Sequence, residues 1–342
     1  MNTQLLKPTK ENIEAAATIL RNGGLVGIPT ETVYGLAANA LDEQAVRSIF
    51  TAKGRPSDNP LIVHISSIDE IEKYALVREF PESARLLAER FWPGPLTMIM
   101  PKGKNISDVV TGGLDSIAIR LPSHPIAREI ISAARCPLAA PSANLSGSPS
   151  PTTAEHVFAD MQGRIPLVID GGSSDVGLES TVITLCTPVP TVLRPGKVTL
   201  AELRQVLGEV ALSDAVLNKL KEGEEAASPG MKYRHYAPRA KVFLIKANQS
   251  AFVDFVNSRA ESSVLALCYN SDTELLKVRT IPLGDKDDFD AQAHNLFSAL
   301  READLTEGID TVYVPCPSTE GLGMALFNRL IRAAGFEVIT LE

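Results

Sequence analysis

Short apolar runs alternate with helical segments along almost the whole chain. Within the first 205 residues the runs typical of buried strands are LVGI, LIVHI, LTMIM, SIAIRL, PLAA, PLVID and TVITL. Helical patterns lie between them, including DEQAVRSIFTAK after a capping Asp42 and PESARLLAERF from Pro81. Two more helices begin with capping-box spacing, at Thr152 with Glu155 and at Thr199 with Glu202. Interleaved strands and helices predict an α/β sheet.

A change of composition divides the chain into two parts. Residues 209–240 are charged and weakly periodic, and they contain Ser-Pro-Gly before Pro238, which is typical of a linker. Beyond them KVFLI, SVLAL, RTIPL, TVYVP and FEVITL alternate with helices predicted near 250, at 288–305 and at 322–335. At 342 residues the chain is long enough for two cores. We predict one domain over 1–208, a linker over 209–240 and a smaller Rossmann-like α/β domain over 241–342.

Charge and cysteine usage exclude several classes of protein. The formal net charge is -8, and neither half has the basic excess of a protein held to nucleic acid by phosphate contacts alone. The four cysteines stand far apart without a C-x-x-C pair, which argues against a zinc site or a disulfide framework and favours a reducing compartment. No signal-like or spanning apolar segment is present, so a cytoplasmic protein that does not enter a membrane is expected.

Two polar loops near the N-terminus are candidate ligand loops. GIPTETVYGLAANA places two hydroxyls and a carboxylate directly after a strand, and KGRPSDNPLIVHI adds Lys53, Arg55, Asn59 and His64. Two cations beside Gly and Pro suit a polyphosphate, because bidentate contacts need a preset geometry. A solvated loop is the alternative, and His64 at its strand end fits a core histidine equally well.

An arginine inside an apolar strand marks a second candidate. SIAIRLPSH buries Arg120 among Ile, Ala and Leu, with Ser116 and His124 nearby. A buried guanidinium needs an anionic or carbonyl partner. A structural salt bridge and a substrate carboxylate both satisfy this need, and the sequence leaves the two open. His124 fits the start of a helix better than a catalytic base.

Hydroxyl-rich loops complete the candidate site. PLAAPSANLSGSPSPTTAEH follows a buried strand and precedes a helix, which is where hydroxyls and free N–H groups form an anion-binding nest. An ordinary Ser/Pro loop is the alternative. GLESTVI and LRPGKV add Ser180, Thr181 and Arg194. Together these loops predict a hydroxyl-lined cleft whose cations are Arg55, Arg120 and Arg194.

Missing motifs narrow the chemistry. The sequence has no P-loop, no complete G-x-G-x-x-G and no G-x-S-x-G elbow, so no catalytic nucleophile is predicted. No carboxylate pair or histidine cluster indicates a metal cage. Any Mg²⁺ is expected to take much of its coordination from phosphate oxygens, and its protein ligands stay unassigned.

The loop motifs resemble a known family. GIPTETVYGLAANA, KGRPSDNPLIVHI, FWPGPLTMIM, AIRLPSH, APSANLSGSPSPT, ESTVI and LRPG resemble, in order and spacing, the YrdC-like domain of the threonylcarbamoyl-AMP synthases. SPGMKYRHYAP followed by a small α/β domain is similar to the long, two-domain form. The resemblance implies a twisted open mixed sheet with flanking helices. It also implies that L-threonine, bicarbonate and ATP give threonylcarbamoyl-AMP and pyrophosphate, the first step of the tRNA t6A modification, with a downstream transferase as partner.

The resemblance also implies a set of site residues. The threonine site would comprise Thr32, His64, Arg120, Ala140 and Ser180. The ATP site, which Mg²⁺ enters with the nucleotide, would comprise Lys53, Arg55, Asn59, Ser116, Ser142, Asn144, Ser150, Arg194 and Tyr236. The basic SPGMKYRHYAPRAK stretch, with Lys232, Arg234, His235, Arg239 and Lys241, is predicted to fold over the nucleotide as a lid, with a plain tether as the alternative.

Two other functions stay open at this point. One is an RNA-binding module, which the near-neutral first domain and the lack of interleaved aromatic and basic residues disfavour. The other is a carbamoyl-transfer enzyme of the hydrogenase-maturation type, which shares the fold but normally has acylphosphatase and zinc-finger segments that this sequence lacks.

Overall fold

A computed structural model describes residues 1–57, 59–218 and 236–341. In these residues eleven strands form the first sheet: β1 (Gln4–Leu6), β2 (Val26–Ile28), β3 (Gly35–Asn39), β4 (Ile62–His64), β5 (Leu96–Pro101), β6 (Ser116–Arg120), β7 (Leu138–Ala139), β8 (Leu167–Ile169), β9 (Thr181–Thr184), β10 (Thr191–Arg194) and β11 (Ala211–Leu212). The helices are α1 (Lys10–Arg21), α2 (Glu43–Lys53), α3 (Asp69–Lys73), α4 (Glu82–Phe91), α5 (Asp108–Thr111), α6 (Pro125–Ala134), α7 (Ala154–Met161) and α8 (Leu200–Leu207).

The first sheet is mixed, as predicted. Its spatial order is β1-β8-β2-β3-β7-β4-β6-β5-β9-β10-β11. The β4–β6 and β5–β9 pairs are parallel, whereas β2–β3, β3–β7 and β5–β6 are antiparallel. Neighbouring residues of β3 show that both faces are covered, because Leu36 and Ala38 join the apolar cluster that includes α2 and α4, and Ala37 joins the cluster of α1 and α6.

Two of the predicted helix starts are confirmed by their caps. The Asp42 carboxylate caps α2 by accepting from the N–H groups of Gln44 and Ala45, and the capping box of Thr199 with Glu202 is complete. The predicted Thr152 cap is wrong by one residue. Thr153 caps α7 by accepting from the N–H of His156, whereas the Thr152 hydroxyl lies 3.0 Å from that of Ser298 in the second domain.

Three other predictions differ in detail from the structure. Pro81 is the capping residue before α4 rather than part of its first turn. Arg194 ends strand β10 and does not lie in the Pro-Gly turn. The sequence GLAANA, predicted as part of a loop, forms β3, because burial between β2 and β7 outweighs the low strand preference of Gly and Ala.

The first sheet continues beyond residue 208. Strand β11 pairs in parallel with β10, and a short 3₁₀ turn follows at Asp214–Val216, so the linker predicted from residue 209 begins too early. Most of the remaining linker, residues 219–235, lies outside the described residues. The described chain resumes at Tyr236, just before the second sheet.

The second sheet is parallel throughout and matches the predicted Rossmann-like domain. Its order is β14-β13-β15-β12-β16, with strands β12 (Lys241–Lys246), β13 (Val264–Tyr269), β14 (Arg279–Gly284), β15 (Thr311–Pro315) and β16 (Val338–Thr340). Helix α9 (Gln249–Asn257) packs in one apolar cluster, and α10 (Phe289–Leu305) and α11 (Gly323–Ala333) pack in another.

The helices α10 and α11 also contact the first domain. Val33 and Leu178 of the first domain belong to the same apolar cluster as Phe297 and Leu326 of these helices. Beside this cluster the guanidinium of Arg301 donates to the Asp160 carboxylate, at 2.7 Å, and to the Pro149 carbonyl, at 2.6 Å. The second domain therefore packs its helical face against the first.

Across the three described ranges, none of the helices combines the length and the apolar character that crossing a bilayer requires.

Removing the cap of α2 tests the local analysis. We expect Asp42→Ala to lower the free energy of unfolding by about 1 kcal/mol, because two N–H groups of the first turn lose their acceptor. Gln44→Ala is the matched control, since the Gln44 side chain is exposed in the same turn and only its backbone N–H takes part in the capping bond. Urea unfolding of the variants measures both changes, and equal effects would contradict the capping role.

Candidate functional site

Strand ends from the middle of the first sheet meet at one edge. Parallel strands β4 and β6 end at His64 and Arg120, which are register partners. The antiparallel strand β5 brings Thr97 opposite Arg120. Because β5 also pairs with β9, Ser180 lies beside the same edge, one residue before that strand. Residues from distant parts of the sequence thus come together, and each of them lies in a strand or directly next to one.

A cavity opens to solvent at this edge. About 590 Å³ of space not filled by atoms lies within it, open solvent included. Its lining comprises Thr30, Thr32, Val33, Tyr34, Gly35, Arg55, Ile62, His64, Arg120, Ala140, Pro141, Ser142, Glu179, Ser180, Arg194 and Tyr236. All five predicted threonine-site residues line the cavity, together with four of the predicted ATP-site residues.

Arg120 is fixed by a carboxylate of the chain itself. One terminal nitrogen, Nη2, lies 2.8 Å from Oε1 of Glu31, and the other, Nη1, donates to the hydroxyl of Thr32 at 2.8 Å. The Glu31 oxygen also accepts from the N–H of Ser123. Burial alone would raise the pKa of Glu31, but the charge and hydrogen bond of Arg120 outweigh it and hold that pKa below its usual value. The salt bridge predicted as one of two alternatives is therefore present.

His64 is a neutral, buried histidine. Its Nδ1 lies 3.2 Å from the carbonyl oxygen of Ile62, so in the neutral ring this nitrogen donates the hydrogen bond. Burial, followed by the positive charge of Arg120, lowers the pKa of His64 to about 3. The ring therefore contributes shape and polarity to the cavity and holds no charge near neutral pH.

Ser180 and Arg194 form a second polar group in the lining. Arg194 donates from Nε to the Ser180 carbonyl, at 3.0 Å, and from Nη2 to the Ser180 hydroxyl, at 3.1 Å. The same hydroxyl shares a 2.7 Å hydrogen bond with Thr97. Burial lowers the pKa of Arg194 to about 10, which leaves it charged near neutral pH.

The neighbouring Glu179 links this group to the second domain. Its Oε2 accepts from Nε of Arg329 in α11 at 2.9 Å, and its Oε1 accepts from the hydroxyl of Ser150 at 2.5 Å. Burial would raise the pKa of Glu179, but the charges of Arg329 and Arg194 outweigh it and lower that pKa. Glu179 is thus an ionised carboxylate inside the protein.

Lys53 supports a loop instead of lining the cavity. It is the last residue of α2 and is buried, which differs from the polar turn that the sequence predicted. Its Nζ donates to the carbonyl oxygens of Ser142, at 2.5 Å, and Asn144, at 2.6 Å. Burial lowers the pKa of Lys53 well below its usual value. Lys53 therefore shapes the loop that presents Ser142 to the cavity.

Other predicted ATP-site residues lie away from the lining. Ser116 begins β6 and is four residues from Arg120, at the opposite end of the strand. Asn144 donates to the carbonyls of Leu145 and Ser148. Asn59 is buried, and neither atom of its amide has a hydrogen-bond partner among the described residues. Their contacts with ATP stay predictions, and the same holds for Ser150, which donates to Glu179.

Tyr236 is the described residue of the predicted lid that reaches the cavity. It is 4% exposed, and its ring centroid lies 5.2 Å from that of Phe297 in α10. Its backbone φ of 64° is unusual for a residue other than glycine. Arg239, further along, is exposed, whereas Lys232, Arg234 and His235 lie outside the described residues.

Sequence reasoning assigns no role to three residues that the structure places at the site. Glu179 lines the cavity, whereas Glu31 and Thr97 lie behind it and contact the lining residues Arg120 and Ser180. Each of the two glutamates directly precedes a predicted site residue, Thr32 or Ser180, which is the available signal. Arg329 has no such signal, because it belongs to a helix in the other domain.

The cavity is suited to hold polar ligands rather than to attack them. Among the residues that the structure describes, no three His, Cys, Asp or Glu side chains come together as metal ligands. Both carboxylates at the cavity, Glu31 and Glu179, are already engaged by arginines. Hydroxyls and guanidinium groups at strand ends, in a two-domain α/β fold, define an enzyme class that binds small anionic or zwitterionic substrates.

Comparison with known proteins agrees with this class. The Sua5, YciO and YrdC family model, described as "Telomere recombination", matches residues 18–196, and a model described as "Threonylcarbamoyl-AMP synthase, C-terminal domain" matches residues 198–335. The chain belongs to the threonylcarbamoyl-AMP synthase family, whose members are enzymes, and the predicted resemblance is confirmed.

Two relatives and one solved structure show how far the similarity extends. Threonylcarbamoyl-AMP synthase of Pyrococcus abyssi is 46% identical over 96% of this chain and 95% of its own length. The Bacillus subtilis protein of the same name is 40% identical over 98% of this chain and 97% of its own length. The crystal structure of P. abyssi Sua5 complexed with L-threonine gives a TM-score of 0.90 at 43% identity, covering 99% of this chain and all of that one.

Neutralising Glu31 tests the buried pair. We expect Glu31→Gln to lower the free energy of unfolding by about 3–5 kcal/mol at neutral pH, because Arg120 stays buried without a counter-charge. Since the folded pKa of Glu31 lies below its ordinary 4.5, the pair stabilises the wild type above that pH and loses its contribution as the pH falls through the folded pKa. The variant should lack this acid dependence.

Glu14→Gln is the matched control for this experiment. Glu14 pairs with Arg21 on the surface, and its side chain is 61% exposed, so its loss should cost at most about 1 kcal/mol. Urea unfolding between acid and neutral pH measures both variants. Indistinguishable curves for the two variants would contradict a stabilising role for the Glu31 pair.

Proposed function

We propose that this chain condenses L-threonine, bicarbonate and ATP to threonylcarbamoyl-AMP and pyrophosphate. The observation that supports this most directly is the cavity itself, where the predicted threonine residues Thr32, His64, Arg120, Ala140 and Ser180 line one space with Arg55, Ser142, Arg194 and Tyr236. In the family to which the chain belongs, a member has been crystallised with L-threonine. This synthesis would be the first step of t6A formation in tRNA, and a downstream transferase would use the product.

The threonine side of the cavity offers a complement to each polar group of the amino acid. The guanidinium of Arg120 supplies positive charge for the carboxylate, and Glu31 fixes its orientation. The hydroxyls of Thr32 and Ser180, which Arg120 and Arg194 hold in place, line the same space and would pair with the ligand hydroxyl. A site that pairs a hydroxyl rejects analogues without one more strongly than an apolar pocket does, whereas serine keeps the hydroxyl and is harder to refuse.

The nucleotide side provides charge without a protein nucleophile. Beside Arg120, the cations of the lining are Arg55 and Arg194. In the proposed reaction the threonine amine bonds to the carbon of bicarbonate and water leaves, which gives a carbamate. A carbamate oxygen then bonds to the α-phosphorus of ATP while the bond to pyrophosphate breaks. Such a step depends on positioning and on charge stabilisation. The absence of a nucleophile motif from the sequence fits it.

Magnesium would enter with ATP. With Glu31 and Glu179 engaged by arginines, the lining fits a cation held mainly by phosphate oxygens, as Mg²⁺ allows. When bound, Mg²⁺ neutralises phosphate charge. The arginines of the chain orient the same phosphates, and ligands that fill the cavity would limit the access of water to the labile carbamate.

The two alternative functions receive less support. An RNA-binding module would need an exposed basic surface, whereas the cations of this site line a cavity and the net charge is -8. A carbamoyl-transfer enzyme of the hydrogenase-maturation type would act on carbamoyl phosphate, and the full-length similarity to threonylcarbamoyl-AMP synthases favours threonine instead.

A pyrophosphate-release assay tests the proposed reaction. We expect purified protein with ATP, Mg²⁺ and bicarbonate to release pyrophosphate only when L-threonine is added, and to incorporate labelled bicarbonate into a nucleotide product. Omission of bicarbonate is the control. Release driven by carbamoyl phosphate would support the transferase instead, and RNA binding without any release would support the binding module.

Truncating Tyr236 tests the lid. We expect Tyr236→Ala to raise the KM for ATP about tenfold, which corresponds to about 1.4 kcal/mol, because one wall of the cavity is lost. Tyr236→Phe keeps the ring packed against Phe297 and isolates the contribution of the hydroxyl. Tyr74→Ala, at a tyrosine outside the cavity lining, is the control for loss of an aromatic ring. An unchanged KM in Tyr236→Ala would leave the segment as a plain tether.

A further inference from the structure

One arginine of the second domain is buried against the cavity of the first. Arg329 is fully buried in α11. Its Nε and Nη2 donate to the side chain and the carbonyl oxygen of Glu179, at 2.9 and 3.1 Å. Its Nη1 donates to the carbonyl oxygen of Pro195 at 2.5 Å. A single guanidinium therefore binds two separate segments of the other domain.

Those two segments hold residues of the cavity lining. Glu179 directly precedes Ser180, and Pro195 directly follows Arg194. Ser180 and Arg194 are themselves joined by hydrogen bonds of 3.0 and 3.1 Å. Because the planar guanidinium has a rigid set of donors, its contacts fix the distance between the segments as well as their orientation.

The charge of Arg329 also influences the position of the Arg194 side chain. The groups that face Glu179 are Arg329 from α11, Arg194 from the end of β10, Tyr236 from the segment before β12, and the hydroxyl of Ser150. If Arg329 lost its charge, Arg194 would be the cation left beside the buried Glu179 carboxylate in the described structure. The attraction would then draw Arg194 away from Ser180 and from the cavity.

We propose that Arg329 is a positioning residue of the site in the first domain. By binding Glu179 and Pro195, it keeps Ser180 and Arg194 in place for the ligands, so the site depends on the docked second domain. The inference rests on the proposed function for the choice of substrates. The contacts of Arg329 with Glu179 and Pro195 do not depend on that choice.

Three variants separate positioning from general stability. Arg329→Met removes the charge and the donors while keeping an apolar side chain in the interface. Arg329→Met combined with Glu179→Gln also removes the carboxylate that would be left unpaired. Asp290→Asn weakens a different contact between the domains, the exposed ion pair with Lys197, and serves as the control. Circular dichroism and thermal unfolding report whether each variant folds.

The kinetic expectation is a graded loss. Arg329→Met should lower kcat/KM for threonine-dependent pyrophosphate release about 10²-fold, which is the scale of a misplaced binding group. The double variant should recover at least about tenfold of this loss, because Arg194 is no longer drawn to an unpaired carboxylate. Asp290→Asn should match the wild type.

A pH profile distinguishes this mechanism from a merely loosened interface. Without Arg329, Arg194 and the Ser150 hydroxyl would still oppose the effect of burial on Glu179, but the pKa of this carboxyl should lie above its wild-type value, so acid would neutralise it more readily and release Arg194. The ratio of kcat/KM for Arg329→Met to that of the wild type should therefore rise as the pH falls from about 8.5 to about 6. The double variant has no carboxylate at this position, and its ratio should stay flat.

The outcomes distinguish this inference from the proposed function. Arg329→Met kinetics equal to those of Asp290→Asn would overturn the positioning role, as would a double variant no better than the single one together with a flat pH ratio. If Arg329→Met does not fold, the double variant alone tests the proposal. A kcat/KM of the double variant below about 10% of the wild-type value would then overturn it. If the wild type releases no pyrophosphate, the proposed function is refuted instead. The positioning role would then be tested by measuring threonine binding to the same variants by calorimetry.

Discussion

Buried ions need partners, and this need determines how the cavity is built. Taking a carboxylate or a guanidinium out of water costs several kcal/mol, which good pairing geometry must offset. Arg120 and Glu31 meet this requirement within the first domain, and Glu179 meets it with Arg329 of the second. Each pair fixes a chain segment at the end of a strand. The hydroxyls on those segments, at Thr32 and Ser180, are thereby held in place before any ligand binds.

The same pairs give the cavity a constant charge near neutral pH. Burial keeps His64 neutral, with a pKa of about 3, while arginine partners hold Glu31 and Glu179 ionised. Arg194 keeps its charge with a pKa of about 10. A site whose residues do not change protonation between mildly acidic and mildly basic pH is suited to holding ligands in position. It is poorly suited to general acid–base catalysis by these groups.

Much of the fold and of the lining could be predicted, because both depend on local patterns. Short apolar runs in the sequence indicate the strands. The polar motifs at the ends of these strands lie at the sheet edge, where Thr32, His64 and Arg120 line the cavity. Strand β3 was not predicted, because its Gly and Ala residues have a low strand preference and form a strand only when buried between neighbouring strands. The burial of Lys53 depends on a loop some ninety residues away, and the Glu179 contact depends on a helix of the other domain, so neither leaves a local signal.

The contact between Glu179 and Arg329 has a consequence for biosynthesis. The two residues are 150 positions apart in the chain, so at typical translation rates Glu179 leaves the ribosome roughly 8–30 s before its partner. Once strand β11 has emerged, the nascent first domain has all the strands of its sheet but still lacks the cation that neutralises this carboxylate. The loop around Ser180 therefore reaches its final form late, when α11 has emerged and docked, and the finished polypeptide acquires its ligand-ready form almost at the end of synthesis.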